Sequence, residues 1–339
     1  MRQVVLEEPR VVRVRQADAP RPGAGQALVR LRWAGICGSD LSAYRGTSPL
    51  VSYPRVLGHE LLVDVRDAPP GSGLQGRRAV VTPLLPCGAC RACRLGRPNC
   101  CADLRVMGVH VDGGMAETAA IAARQLVAVP EGVPDELAVL AEPTTIAYHA
   151  VRRAGVEAGG LAVVMGAGTI GLLVAQLLRR TRGCRVLVHD LDPWRLAAAE
   201  RVGATAVAGD AAAVVAAVRE ATEAEMADVV FEATGNAACT RLSTDLVAHA
   251  GRIVLIGWNR GPVEVDTVTL MRKEVDLLGS RNSVAAFPPV LRLLADGAVD
   301  ASVLVTHRFS LDEAGAGLQL LDRGGQALKV LIAGAAAGG

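Results

Sequence analysis

Aromatic residues make up only 3% of this 339-residue chain. Its core must therefore be filled by Ala, Val and Leu, and with half the residues hydrophobic that core can be sizeable. Long apolar runs are missing: none reaches the roughly 18 uncharged residues of a membrane span. The N-terminal MRQVVLEEPR has no apolar h-region, so no signal peptide is expected. Charge of one sign is missing too. The chain carries 36 basic and 34 acidic residues, net +2, spread evenly. No basic block is long enough for a nucleic-acid or membrane footprint, so neither is expected as a partner. Internal repeats and low-complexity linkers are absent. The chain reads as a soluble, cytoplasmic protein of about two domains.

Residues 1 to about 148 read as short strands broken by turns. VVRV (11–14), ALVRLRWAG (27–35) and RRAVVTP (77–83) are strand-like, while PRPGAG (20–25) and APPGSGLQG (68–76) are turn-rich. The first clear helical pattern is VPDELAVLAEP (133–143). From 149 to 296 the texture changes. LAVVM, CRVLVHD, ADVVFEAT and GRIVLIGW are strand runs separated by helical stretches, which predicts βαβ units on a doubly wound parallel sheet. The tail, 297–339, with a helical LDEAGAGLQLL and a strand ALKVLIAG, is expected to return to the first domain and complete it. The terminal AAAGG is expected to fray.

Gly166-Ala167-Gly168-Thr169-Ile170-Gly171 follows one predicted strand and opens a helix. Such a GxGxxG is weak alone, but the context is that of a dinucleotide site. The first Gly makes the turn, the second lets the backbone approach a pyrophosphate, and the third lets helix and strand pack closely. Asp190 ends the next strand nineteen residues after Gly171, where a carboxylate holds ribose hydroxyls. That acid favours NAD and repels a 2′-phosphate. Arg195 suits a ribose or adenine contact, or a solvated helix position, and leaves NADP as the less favoured cofactor. Asp192 suits the cap of the following helix better than Asp190 does.

Five of the eight cysteines fall in CGACRACRLGRPNCC, Cys87 to Cys101. In a cytosolic chain a disulfide knot is disfavoured, and metal or catalysis is favoured. No thioredoxin-like context supports a redox pair at Cys87 and Cys90. Elsewhere Cys37 lies in AGICGSD, His59 and Glu60 in LGHE, and Glu142 in AEP. Singly these are ordinary residues. Together, beside a nicotinamide-type fold, a thiolate, an imidazole and a carboxylate suit a catalytic zinc, which takes about three protein ligands and one open position.

In order and spacing, GICGSD, GHE, CGACRACRLGRPNCC, DGGMAE, AEP, GAGTIG and the closing LKVLI resemble the zinc-dependent medium-chain alcohol and polyol dehydrogenases over essentially the whole chain. The resemblance implies a GroES-like β-rich catalytic domain plus a Rossmann domain, two zinc ions per chain, NAD, and a dimer or tetramer joined through the strand near 277–282. It implies hydride transfer between NAD and an alcohol carbon. It assigns the catalytic zinc to Cys37, His59 and Glu60, with Glu142 binding the metal or its water as in the polyol branch. The structural zinc falls to Cys87, Cys90, Cys93 and Cys101, leaving Cys100 spare. Ser39 falls at a hydroxyl relay, and Thr169, Ile170 and Arg281 join the cofactor set. Asp40 is a candidate partner orienting His59. One departure is Val63, where the family usually has glycine.

CGSDxxxYRG, YPRVLGHE and GVHVDGG look closest to hexonate 5-dehydrogenases acting on galactonate, gulonate or idonate. That reading expects Tyr44, Arg45 and His110 at the substrate. Aminocyclitol and threonine dehydrogenases are alternatives, and a non-enzymatic NAD-binding or regulatory relative is the alternative of another class.

Overall fold

The computed structural model describes residues 1–259 and 261–334; the AAAGG end lies outside them. Two compact units are present. One comprises Met1–Glu142, Phe287–Asp296 and the chain from Leu304 on; the other comprises Pro143–Ala286 and Gly297–Val303. The expected division at 148/149 falls inside the Ala141–Ala154 helix.

The first unit is β-rich. Among the described residues its main sheet runs Leu126–Ala128, Arg78–Val81, Glu60–Asp67, Gln26–Gly35, Lys329–Ala333, Val305–Ser310, with Thr118–Ala122 also on Gln26–Gly35. Alternation explains the Gln26–Gly35 strand. Ala27, Val29 and Leu31 enter a core of aliphatic residues with Leu57, Leu61 and Val330, while Arg30 and Arg32 face outward to Asp64. The tail completes this sheet, because Lys329–Ala333 pairs antiparallel with Gln26–Gly35. Val63 sits within the continuous Glu60–Asp67 strand opposite Leu31. The register slips just beyond, between Leu31 and Trp33.

The helical reading of 133–143 resolves into two elements, Asp135–Ala138 and the start of Ala141–Ala154. A seven-residue helix, Gly38–Tyr44, precedes both. It is too short to show a helical period in sequence.

The second unit is a parallel sheet in the order Thr205–Val207, Arg185–His189, Leu161–Met165, Ala227–Glu232, Val247–Leu255, Asp276–Gly279. Numbered along the chain this is 3-2-1-4-5-6, the doubly wound order. Its core is aliphatic, with Val163, Met165, Val230 and Ile253. Among the described residues no helix is long and apolar enough to cross a membrane.

Candidate active site and metal centres

Cys37 lies where the Gln26–Gly35 strand turns into the Gly38–Tyr44 helix, at its N-cap. Asp40, in the first turn and buried, accepts from the Cys37 N–H at 2.9 Å and so fixes that turn. His59 lies just before the neighbouring Glu60–Asp67 strand and Glu60 opens it, both buried. Glu60 pairs across the sheet with Gly35. A Cβ on Gly35 would sit 2.0 Å from Glu60 Oε2, so this carboxylate needs glycine opposite it.

The donor atoms of Cys37, His59 and Glu60 lie within 4.8 Å of one another. Ser39 Oγ stands 3.3 Å from His59 Nε2. His59 Nδ1 and Asp40 Oδ1 are 3.7 Å apart, and both are buried without a hydrogen bond. The imidazole thus turns Nδ1 toward a carboxylate and Nε2 toward the other donors, the arrangement metal-binding histidines use.

Glu142, second in its helix, is outside the 4.8 Å set but feels its charge. Burial pushes its carboxyl up to about 7; His59 and Lys329 oppose the shift, and Glu60 and Asp40 add to it. Burial also raises Asp40, against the pull of His59. At His59 burial disfavours charge, but Asp40, Cys37 and Glu142 outweigh it and hold the imidazole well above its ordinary value. The pocket is a concentration of negative donors, and a divalent cation fits it.

Lys329, buried in its strand, was given no role from sequence. Its Nζ donates to both Glu60 oxygens at 2.7 Å and to Ile36 O at 3.0 Å. A lone lysine in the apolar run ALKVLIAG was the available signal.

The cysteine segment folds into a separate knot. Sγ–Sγ distances are 3.4 Å for Cys87–Cys101, 3.5 Å for Cys90–Cys93 and 3.8 Å for Cys90–Cys101. Four thiolates about 2.3 Å from a tetrahedral zinc stand roughly 3.8 Å apart, so the spacing suits that ion. All eight cysteines are free. Backbone N–H groups reach the sulfurs, from Cys87 to Cys101 at 3.3 Å and from Cys90 to Cys87 at 3.4 Å. The thiols respond unevenly. The N–H of Cys93 leads in lowering Cys90 to about 6, while burial leads in pushing Cys93 up to about 12. Cys100 is outside the four-sulfur set and lies 3.8 Å from Arg97 Nη2.

The glycine loop lies where it was expected. Gly168 caps the Thr169–Arg182 helix without a side chain. A Cβ on Gly171 would lie 1.9 Å from Gly166 O, so helix and strand approach only through glycine. Asp190 accepts from Ala167 N at 2.8 Å and from Asp192 N at 3.0 Å. Asp192 caps the next helix through Trp194 N. Arg195 leans toward Asp192, its Nε 3.8 Å from the carboxylate. Arg281 stacks over Trp258, 5.6 Å from the ring centroid.

Two expected substrate residues are engaged elsewhere. Tyr44 is buried in the first unit's core, with Arg10 over its ring. Arg45 donates from Nε to Asp322 Oδ1 at 2.7 Å, because the end of its helix packs beside that of Ala314–Arg323. His110 is half-buried, and its Nδ1 accepts from Val106 N at 3.2 Å.

A GroES-type β unit holding two metal-fitted donor sets, with a doubly wound unit carrying a dinucleotide loop, defines a metal-dependent nicotinamide oxidoreductase. The alcohol dehydrogenase GroES-like domain matches residues 23–131 and the zinc-binding dehydrogenase domain residues 169–296. An uncharacterised zinc-type alcohol dehydrogenase-like protein of Haemophilus influenzae is 37% identical, over 91% of this chain and 92% of its own. L-galactonate-5-dehydrogenase of Escherichia coli is 34% identical, over 91% and 92%. The crystal structure of an E. coli alcohol dehydrogenase complexed with NADH superposes with a TM-score of 0.92 at 32% identity, covering 98% of this chain and 99% of that one. The chain belongs to the zinc-dependent medium-chain alcohol dehydrogenase family and is an NAD(P)-dependent enzyme acting on CH–OH groups.

Proposed function

We propose that the chain oxidises the C5 hydroxyl of a hexonate, of the galactonate, gulonate or idonate type, with NAD as acceptor. The secondary alcohol becomes a ketone, its hydride passes to NAD, and a proton is released. The observation that carries the chemistry is the buried Cys37, His59 and Glu60 set beside Glu142. The substrate class is supported by likeness to the E. coli galactonate enzyme.

Cys37, His59 and Glu60 would hold zinc, with Glu142 next to it. Zinc there would supply Lewis-acid stabilisation of the alkoxide. Ser39 Oγ, beside His59 Nε2, takes the hydroxyl proton outward. Asp40 orients His59. Cys87, Cys90, Cys93 and Cys101 would hold the second zinc. Asp190 and the Gly166–Gly171 loop receive NAD, with Arg195 and Arg281 alongside, and the acid disfavours a 2′-phosphate. His110, half-buried with its Nδ1 accepting from Val106 N, is taken as the candidate for the sugar-acid carboxylate.

A homo-oligomer is also proposed. The edge strand Asp276–Gly279 pairs on one side only among the described residues. Near it in sequence, Val268, Met271 and Leu277 are exposed. A single monomeric species in light scattering at micromolar concentration would count against it.

The test of function is an NAD reduction screen across hexonates, neutral polyols, aminocyclitols and threonine. Hexonates should exceed the rest by at least about tenfold in kcat/KM. Equal turnover of neutral polyols would sink the sugar-acid reading, and preference for an aminocyclitol or threonine would replace it.

A further inference from the structure

In the doubly wound sheet, strand order reverses between Leu161–Met165 and Ala227–Glu232, and ligands lie off the carboxyl ends of such a pair. Gly166 follows the first strand. Glu232 ends the second; the residue is 1% exposed, and its carboxylate has no Lys, Arg or His partner among the described residues. Its partners are the loop that follows. Oε1 accepts from Thr234 N at 2.7 Å, from Gly235 N at 3.0 Å and from the Thr234 hydroxyl. Oε2 adds Gly235 N at 3.2 Å.

These bonds fold residues 233–235 back over the strand end. The Thr234 methyl comes within 2.8 Å of where a Cβ on Gly166 would stand, so the loop presses on the phosphate turn itself. The Thr234 hydroxyl also accepts from Asn236 N at 2.9 Å, and Asn236 caps the Ala237–Leu246 helix. The main chain of Glu232 carries the tie onward. Its carbonyl accepts from Ile256 N at 2.9 Å and Gly257 N at 3.0 Å. One residue thus joins three loops at the carboxyl edge of the sheet.

We propose that Glu232 is a cofactor-positioning residue. Its carboxylate clamps Thr234 and Gly235 against the Gly166 turn and fixes the wall of the crevice in which the dinucleotide lies. This rests on the NAD-dependent reading above. Glu232 touches no cofactor atom in this account; it acts through Thr234 and Gly235. Preorganising that wall removes an ordering cost from binding.

The test is calorimetric titration of NADH into the zinc-loaded full chain, with melting of the cofactor-free protein alongside. Glu232→Ala should raise the NADH Kd about tenfold, and Thr234→Val, which loses the hydroxyl's bonds to Glu232 and Asn236 but keeps the backbone bonds to the carboxylate, about threefold. Glu232→Gln, whose amide oxygen still accepts, should stay within about twofold of wild type. A merely structural clamp would lower melting temperature in Glu232→Ala and leave the Kd of folded variants unchanged. Unchanged Kd in Thr234→Val and in every Glu232 variant that folds overturns the proposal. If Glu232→Ala does not fold, Thr234→Val decides. Wild-type protein that binds no NADH would overturn the cofactor reading as well, a result distinct from tight wild-type binding with unaffected variants.

Discussion

The β-rich unit holds two sets of metal-fitted side chains, and they are built in opposite ways. The cysteine knot draws all four donors from fifteen consecutive residues. Its sulfurs alone suit a tetrahedral ion, and of its four donor cysteines Cys101 alone is buried. The other set takes Cys37 from one strand end and His59 and Glu60 from the next, with Glu142 on a helix and Lys329 on the closing strand. Its donors are mixed, buried and only three in close contact. A closed cage of like donors can hold a loop but admits no substrate. An incomplete set of unlike donors, held by the fold, leaves a coordination position for chemistry. Under the proposed function, density of reactive side chains is therefore a poor guide to where the reaction occurs.

The sharpest way to break this comparison is to remove one donor from each set. Cys37→Ala should cut kcat/KM by more than about a thousandfold, since Lewis-acid stabilisation supplies several kcal/mol. Zinc should fall by one ion, with melting temperature little changed. In the knot the pattern should invert. Cys101→Ser should also lose one zinc, but lower the melting temperature by about 5 °C or more, because metal binding there is folding energy. Cys100→Ser should change neither zinc content nor melting. Metal analysis and calorimetry decide, and zinc loss in Cys100→Ser with none in Cys101→Ser would reverse the ligand assignment.

The comparison is sharpened by a residue that donates nothing to the metal. Asp40 Oδ1 faces His59 Nδ1 at 3.7 Å, while its other oxygen fixes the Cys37 turn. Asp40→Asn should lower kcat/KM by about 10- to 100-fold and weaken zinc at this site alone. In the cysteine knot, backbone N–H groups reach the sulfurs instead.

The same contrast governs what was legible in the chain. The knot and the Gly166–Gly171 loop are local: the cysteine cluster announced metal or catalysis and the resemblance named its four ligands, while the glycine loop was legible from the strand before it and the helix after it. Cys37, His59, Glu60 and Glu142 were legible as a group, through the resemblance of their flanking motifs. Lys329 was not, because it reaches Glu60 across 269 residues and nothing near either residue records the pairing. Glu232 escaped for a different reason. A Glu ending an apolar strand looks like a solvated acid until the loop is seen folded onto it. The Gly38–Tyr44 helix that carries Ser39 and Asp40 is too short for periodicity to reveal.

The smallest expected effect concerns Arg45, where local reading and fold part company. From sequence it adjoins the Cys37 motif and offers a cation to a sugar-acid carboxylate. In the fold its guanidinium is held by Asp322, which Arg10 also engages at 2.7 Å. A guanidinium held at two points, Nε on the Asp322 carboxylate and Nη2 on the Asp322 carbonyl, is committed away from a ligand, and an exposed pair of this kind adds little stability. Arg45→Ala should therefore leave KM for a hexonate within about twofold of wild type and melting within about 2 °C. His110, half-buried with its Nδ1 accepting from Val106 N, should behave differently under the sugar-acid reading. His110→Ala should raise KM for a hexonate by about tenfold while sparing any neutral polyol that is turned over. A tenfold KM rise in Arg45→Ala, absent in His110→Ala, would mean that Asp322 releases the guanidinium to substrate and that the carboxylate anchor lies on the Gly38–Tyr44 helix side after all.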